Sequence, residues 1–166
     1  IMLQYAGSMK KHNRVLFDIV DSLSDDEQLI LFVIEMCRGD TAIKQISEIF
    51  ESSQHLLAGN TKYTHLYIQS NCLSLISKGI IIGNENSVRI TQDQLLEVIE
   101  TYRRSSLYYL AGSMFENYHY QKLQKGQNTN HHIMALLHVY SVFSDIRILS
   151  ILPELTKILL EQKPLA

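Results

Sequence analysis

Proline and glycine are scarce in this chain, 2 and 7 among 166 residues, which argues against a many-turned β-sandwich and against low-complexity sequence. Two cysteines, Cys37 and Cys72, cannot build a disulfide framework. Both sit inside apolar helical patterns and read as buried thiols in a reducing compartment. No uninterrupted apolar run approaches the roughly 18 residues a membrane span needs. The longest run is Leu29–Ile34. A basic-then-apolar leader pattern is also missing at the start of the sequence. Neither sign of charge dominates: the formal net charge is -2 and the pI about 6.4. That excludes the composition of a general nucleic-acid coat, though not a local basic patch. There is no glycine-rich phosphate loop, no nucleophile elbow and no zinc-protease helix motif. Paired carboxylates occur only in surface-type runs such as Asp25-Asp26. The expectation is a cytoplasmic protein outside the membrane, without enzymatic activity and without a cofactor.

What is present is helical periodicity. Val15, Leu16, Ile19 and Val20 recur at helical spacing in Asn13–Val20. Ser24-Asp25-Asp26-Glu27 forms a capping box that opens Leu29–Cys37, apolar on nearly every face and therefore central. Asp40 or Thr41 caps a short third helix with Ile43, Ile46, Ile49 and Phe50 on its apolar side. A fourth runs from about Lys62 to Lys78. Then comes one strand signal: Ile80-Ile81-Ile82, turn chemistry at Gly83–Ser87, and a return along Val88-Arg89-Ile90-Thr91. This predicts a lone hairpin lying against the helices before it. With Thr91 as cap, a helix of some 33 residues can run to about Lys125, with Gly112 its weak point. Gly126–Asn130 breaks the pattern. A last helical stretch covers His131–Gln162, kinked or divided by Pro153. The fold class predicted is mainly α with one small β-hairpin.

Helix, helix, helix, then a hairpin returning into a long helix is the order of a winged helix-turn-helix. In Asn60–Thr91, the apolar Leu73, Leu75 and Ile76 lead into Lys78-Gly79-Ile80-Ile81 and a ribbon ending Val88-Arg89-Ile90-Thr91. This segment resembles winged-helix regulators of the MarR type, with Gly83–Ser87 standing where their wing carries an Asp-x-Arg step. PadR-like and plasmid-partition winged helices share the pattern. The resemblance implies an N-terminal helix in 1–23 that joins a dimer region, a winged-helix domain in 24–91 and a long helical dimerisation region in 92–166. It also implies a homodimeric, sequence-specific transcriptional regulator that binds double-stranded DNA.

A helical wheel gives that reading its residues. Leu66, Cys72, Leu73 and Ile76 fall on one side of the fourth helix, with Ile68 and Leu75 at the margin. The other side carries Tyr63, Tyr67, Ser70, Asn71, Ser74 and Lys78. A major groove admits one helix, and such hydroxyls, amides and cations reach base edges and phosphates. Lys62 lies at the helix start, where backbone amides attract phosphate. Lys44 on the third helix and Arg89 on the wing complete the expected DNA-binding set. The face carries no arginine and the wing tip carries Glu85, so the alternative is a winged-helix module that binds protein instead.

The apolar residues of Gln92–Lys125 and His131–Leu160 exceed what a three-helix core can cover, and a second copy is the economical partner. Such a dimer sets two recognition helices about 34 Å apart on a palindromic site. Among the tyrosines of the long helix, Tyr108 and Tyr109 with His119 are candidate contacts for a small-molecule effector. Interface packing with each hydroxyl satisfied locally is the plainer reading. His131, His132 and His138, joined by His119, invite a metal reading. No cysteine or acidic residue completes a familiar spacing, so no metal site is expected.

Overall fold

In the computed structural model the described residues are 11–59, 62–126, 129–143, 153, 156–157 and 160–161. Among them the chain is mainly helical with a small antiparallel sheet, as the periodicity predicts. The helices are α1 (Lys11–Asp21), α2 (Asp25–Cys37), α3 (Ile43–Ser52), α4 (His65–Ser77), α5 (Asp93–Glu100), α6 (Ser106–Gln124) and α7 (Thr129–Phe143). The strands are β1 (Thr41–Ala42), β2 (Ile82–Gly83) and β3 (Ser87–Arg89). No described helix is long and apolar enough to cross a membrane.

The chain forms two compact units, residues 1–118 and 119–166, whose boundary falls within α6. In the first unit α2 is the hub. Ser24 caps it from both sides of a capping box, accepting from the Glu27 backbone while the Glu27 carboxylate accepts from the Ser24 amide. Leu29 to Ile34 are all buried. α2 and α3 both pack on α4, and α1 packs on α5 through Asn13, whose amide donates to Glu97 at 2.6 Å, while Phe17 stacks on Tyr102 just beyond the end of α5. Gln28 donates to the Val20 carbonyl at 2.8 Å and so fixes the end of α1 on α2.

The hairpin is not alone. β1 pairs with β3 (Thr41 with Val88, Ala42 with Ser87), and β2 pairs with β3 on the other side, giving the antiparallel order β1–β3–β2. Two residues are too few to write an alternating pattern, so β1 is invisible to periodicity. Thr41 is committed to this strand, and the N-cap of α3 is Ala42, which makes no side-chain cap bond, rather than Asp40 or Thr41. At Gly83, φ is 148° and an added Cβ would fall 2.1 Å from the Ser87 carbonyl oxygen, so only glycine fits beside the crossing strand. α4 closes with a Schellman motif: Gly79 donates to the Ile76 carbonyl and Ile80 to the Leu75 carbonyl, with Gly79 at φ 73°.

The single long helix expected after the hairpin is two. α5 starts after Gln92 rather than from a Thr91 cap and stops at Glu100. The chain then turns through Thr101–Ser105, and Ser105 accepts from the Tyr108 amide at the start of α6. The turn drops Tyr102 between Phe17 and Phe32 and lets its hydroxyl donate to Asp21 at 3.2 Å. Burial of that ring compensates for the helical hydrogen bonds given up across these five residues. Gly112 lies inside α6 and is buried there. In the first unit α6 is anchored to the end of α3, with Asn117 donating to the Ser52 carbonyl at 2.9 Å. The division expected at Pro153 falls where the flanking residues lie outside the described ones.

Candidate nucleic-acid interface

α4 is turned relative to the wheel expected from sequence. Its buried stripe is Ile68, Cys72 and Leu75, the margin of the expected one. Leu66 and Leu73, expected inside, are 73% and 44% exposed. Apolar residues occur on both sides of this helix, so spacing alone does not choose which side is buried. The choice is made by α2 and α3, which pack on it. The outward stripe is therefore Leu66, Ser70, Leu73 and Ser77, all exposed.

The residues assigned to a solvent-facing recognition surface split accordingly. Tyr63, Tyr67, Ser74 and Lys78 lie on a flank that touches the first turn of α2. Tyr63 donates to Asp26 at 2.8 Å, and Tyr67 donates to the same carboxylate. Ser74 donates to Glu27 at 3.0 Å, and the Lys78 ammonium reaches the same oxygen at 2.7 Å. These four are half-engaged in holding α4 on α2 rather than standing free, which corrects the expectation. Burial opposes the charge on Glu27, but donation from Lys78, Ser74 and the Ser24 backbone outweighs it and holds the carboxyl below its usual range. Burial and Asp26 together push the Tyr63 hydroxyl up, and donation to Asp26 followed by burial does the same at Tyr67, so both remain protonated donors. The Asn71 amide bonds back to the Tyr67 carbonyl at 2.9 Å.

Ser70 is exposed on the outward stripe. Lys62 precedes the helix, which starts three residues later than expected because Thr64 is the N-cap, accepting from the Tyr67 amide at 3.1 Å. Lys44 is exposed on α3. Arg89 is exposed on β3, 3.7 Å from Asp40. Sequence reasoning passed over His65 and Gln69. His65 Nδ1 lies 3.0 Å from the Ser47 hydroxyl, which ties α4 to α3. Gln69 donates to the Glu85 carbonyl at 2.8 Å, which ties α4 to the tip of the hairpin. That tip is shaped by Asn84, whose side chain accepts from the amides of Asn86 and Ser87. Around α4 the cations are thus few, and two of them face carboxylates.

The tyrosines of α6 are held locally. Tyr108 is fully buried and donates to Glu35 at 2.9 Å, and Tyr118 donates to Glu48 at 3.2 Å. Tyr109 is half exposed. A cleft of about 400 Å³ in the first unit is lined by Ile34, Glu35, Arg38, Leu96, Glu100 and Arg103, and by none of the three effector contacts expected from sequence. Burial, opposed by Tyr108 and by the charges of Arg103 and Arg38, leaves the Glu35 carboxyl above its usual range. His119 belongs to the second unit and lies against His132. Cys37 and Cys72 are pushed up to about 12, in each case chiefly by burial, which fits inert thiols.

No family model matches this chain, and neither a curated protein nor a solved structure matches it.

Proposed function

We propose that this chain is a winged-helix DNA-binding regulator of the MarR-like kind that acts as a homodimer. One observation carries the reading: the order α2, β1, α3, α4, β2, β3 with sheet order β1–β3–β2 is that of a winged helix-turn-helix. In that order α4 enters a major groove and the β2–β3 turn flanks it. The outward stripe replaces the face expected from the wheel. Ser70, flanked by Gln69, donates or accepts at base edges, and Leu66 and Leu73 suit thymine methyl groups. Lys44, Lys62 and Arg89 serve phosphates. So few cations predict a shallow salt dependence. Exposed Val15 and Leu96, and in the second unit Met134 and Leu137, supply apolar surface for a second copy.

A protein-binding module is the second reading, and specific observations favour it. Residues 24–91 carry 5 Lys and Arg against 8 Asp and Glu, a balance of -3. Lys78 and Arg89 face Glu27 and Asp40, and the outward stripe of α4 presents two leucines seven residues apart. Fluorescence anisotropy with labelled genomic duplexes, at low and moderate salt and with unlabelled competitor, separates the two. Saturable binding that resists unrelated competitor supports the regulator. Its absence at low salt, in protein that sediments as a folded dimer, turns the assignment to the protein-binding module.

A further inference from the structure

Three histidines converge in the second unit. His119 lies near the end of α6, and His131 and His132 lie in the first turn of α7. Each offers a ring nitrogen, and these nitrogens all lie within 4.8 Å of one another. His119 Nδ1 and His132 Nδ1 are 2.8 Å apart. The ring centroids are 5.1 Å apart for His119 and His132, 5.2 Å for His131 and His132, and 5.8 Å for His119 and His131.

Those distances fit one centre. With metal–nitrogen bonds of about 2 Å and tetrahedral angles, ligand nitrogens stand roughly 3.3 Å apart and imidazole centroids about 5 Å apart. The rings already satisfy the second condition. The first needs side-chain rotation, because the Nδ1 atoms of His119 and His132 stand closer together than that. We propose that His119, His131 and His132 form a three-imidazole site for a divalent transition-metal ion of the zinc class, with the fourth coordination position open to water. Neutral, borderline donors with no carboxylate exclude magnesium and calcium, which take oxygen.

The protonation states agree. Burial, then the neighbouring His132 and His131, brings His119 down to about 3, and burial lowers His132 too. Both rings are therefore uncharged at neutral pH, and the proton between their Nδ1 atoms is the one a bound ion displaces. Exposed His131 provides the route for entry. Lys122, which also bears on His132, and the positive amino end of α7 oppose a cation here. Directed donor bonds from three nitrogens must exceed that opposition. The ion then clips the end of α6 to the start of α7 across the Gly126 turn, a link that unfolding must break. This is independent of DNA binding.

The test uses the full chain stripped with chelator. Calorimetric titration with Zn²⁺ is expected to give one ion per chain, and Co²⁺ to give the intense visible absorption of a tetrahedral nitrogen site. Thermal melting should shift upward with Zn²⁺. His119→Ala, His131→Ala and His132→Ala should each weaken binding at least ~10-fold and abolish the shift, while His138→Ala should change neither. His131 is exposed, so His131→Ala keeps the fold intact and decides the matter even if the buried variants unfold. No saturable uptake by the parent chain, uptake that survives His131→Ala, or equal loss in His138→Ala overturns the proposal.

Discussion

Tyr108 on α6 donates its hydroxyl to Glu35 on α2 across 73 positions of sequence, at 2.9 Å, from a fully buried ring. The bond joins the hub of the first unit to the helix that leads out of it. Tyr108→Phe removes the donor and leaves a partly buried carboxyl less well satisfied. It should cost about 2 kcal/mol of unfolding free energy, measured by urea denaturation at neutral pH.

The same carboxyl sets a pH trend. Its folded value is raised, so the folded state holds the proton more tightly than the unfolded chain. Its contribution therefore falls as pH rises from the usual 4.5 through the raised folded value. Glu35→Gln should flatten that decline, read as unfolding midpoints against the parent chain from about pH 4, just below the usual glutamate value, to about pH 8.

Glu27 works the other way. Its folded value lies below 4.5, so its stabilisation is present above 4.5 and is lost as pH falls through the lowered folded value. Lys78→Ala should reduce stability at pH 7 by about 1 kcal/mol, a modest effect because the ammonium is partly solvated. The variant should also unfold at higher pH than the parent during acid titration. An unchanged acid midpoint would show that the pair does not hold α4 on α2.

Gly83 admits no side chain. Gly83→Ala forces a Cβ against the Ser87 backbone at a φ that L-residues rarely adopt. The expected cost is at least ~2 kcal/mol, and exchange protection of the Asn84 amide, which donates to the Ser87 carbonyl, should be lost first. Under the proposed regulator function, duplex DNA binding should weaken with it, because Gln69 ties the hairpin tip to α4.

Cys72 is buried and Cys37 half-buried, and desolvation raises both thiols to about 12. Neither Cys37 nor Cys72 should react with a disulfide reagent at pH 8 in native protein within minutes, and both should react on addition of denaturant. Rapid native labelling of either one would contradict the packing around it.

The helices before the hairpin were legible because each carries local chemistry. The capping box at Ser24 and the Lys78-Gly79 end of α4 sit where their signals place them, whereas the strand expected at Ile80–Ile82 begins only at Ile82 and takes in Gly83, and the returning strand is Ser87–Arg89. The misreadings share one cause: decisions taken by contacts distant in sequence. Which side of α4 is buried depends on α2 and α3, not on its own spacing. β1 exists because β3 pairs with it. The break between α5 and α6 was written as Ser105 and Ser106, but its driving force is a pocket for Tyr102 formed by Phe17 and Phe32. The histidine group was half visible, since a helical turn at Gly126 folds positions before and after it onto each other. Sequence offers no measure of that fold-back without the turn's geometry.

β1 and β2, the two edges of the sheet, are two residues long each, and the centre is β3. Edges this brief give an incoming extended peptide almost no ladder to join. This sheet therefore offers little to partners that bind by adding a strand, and fibril-like stacking through it has no purchase.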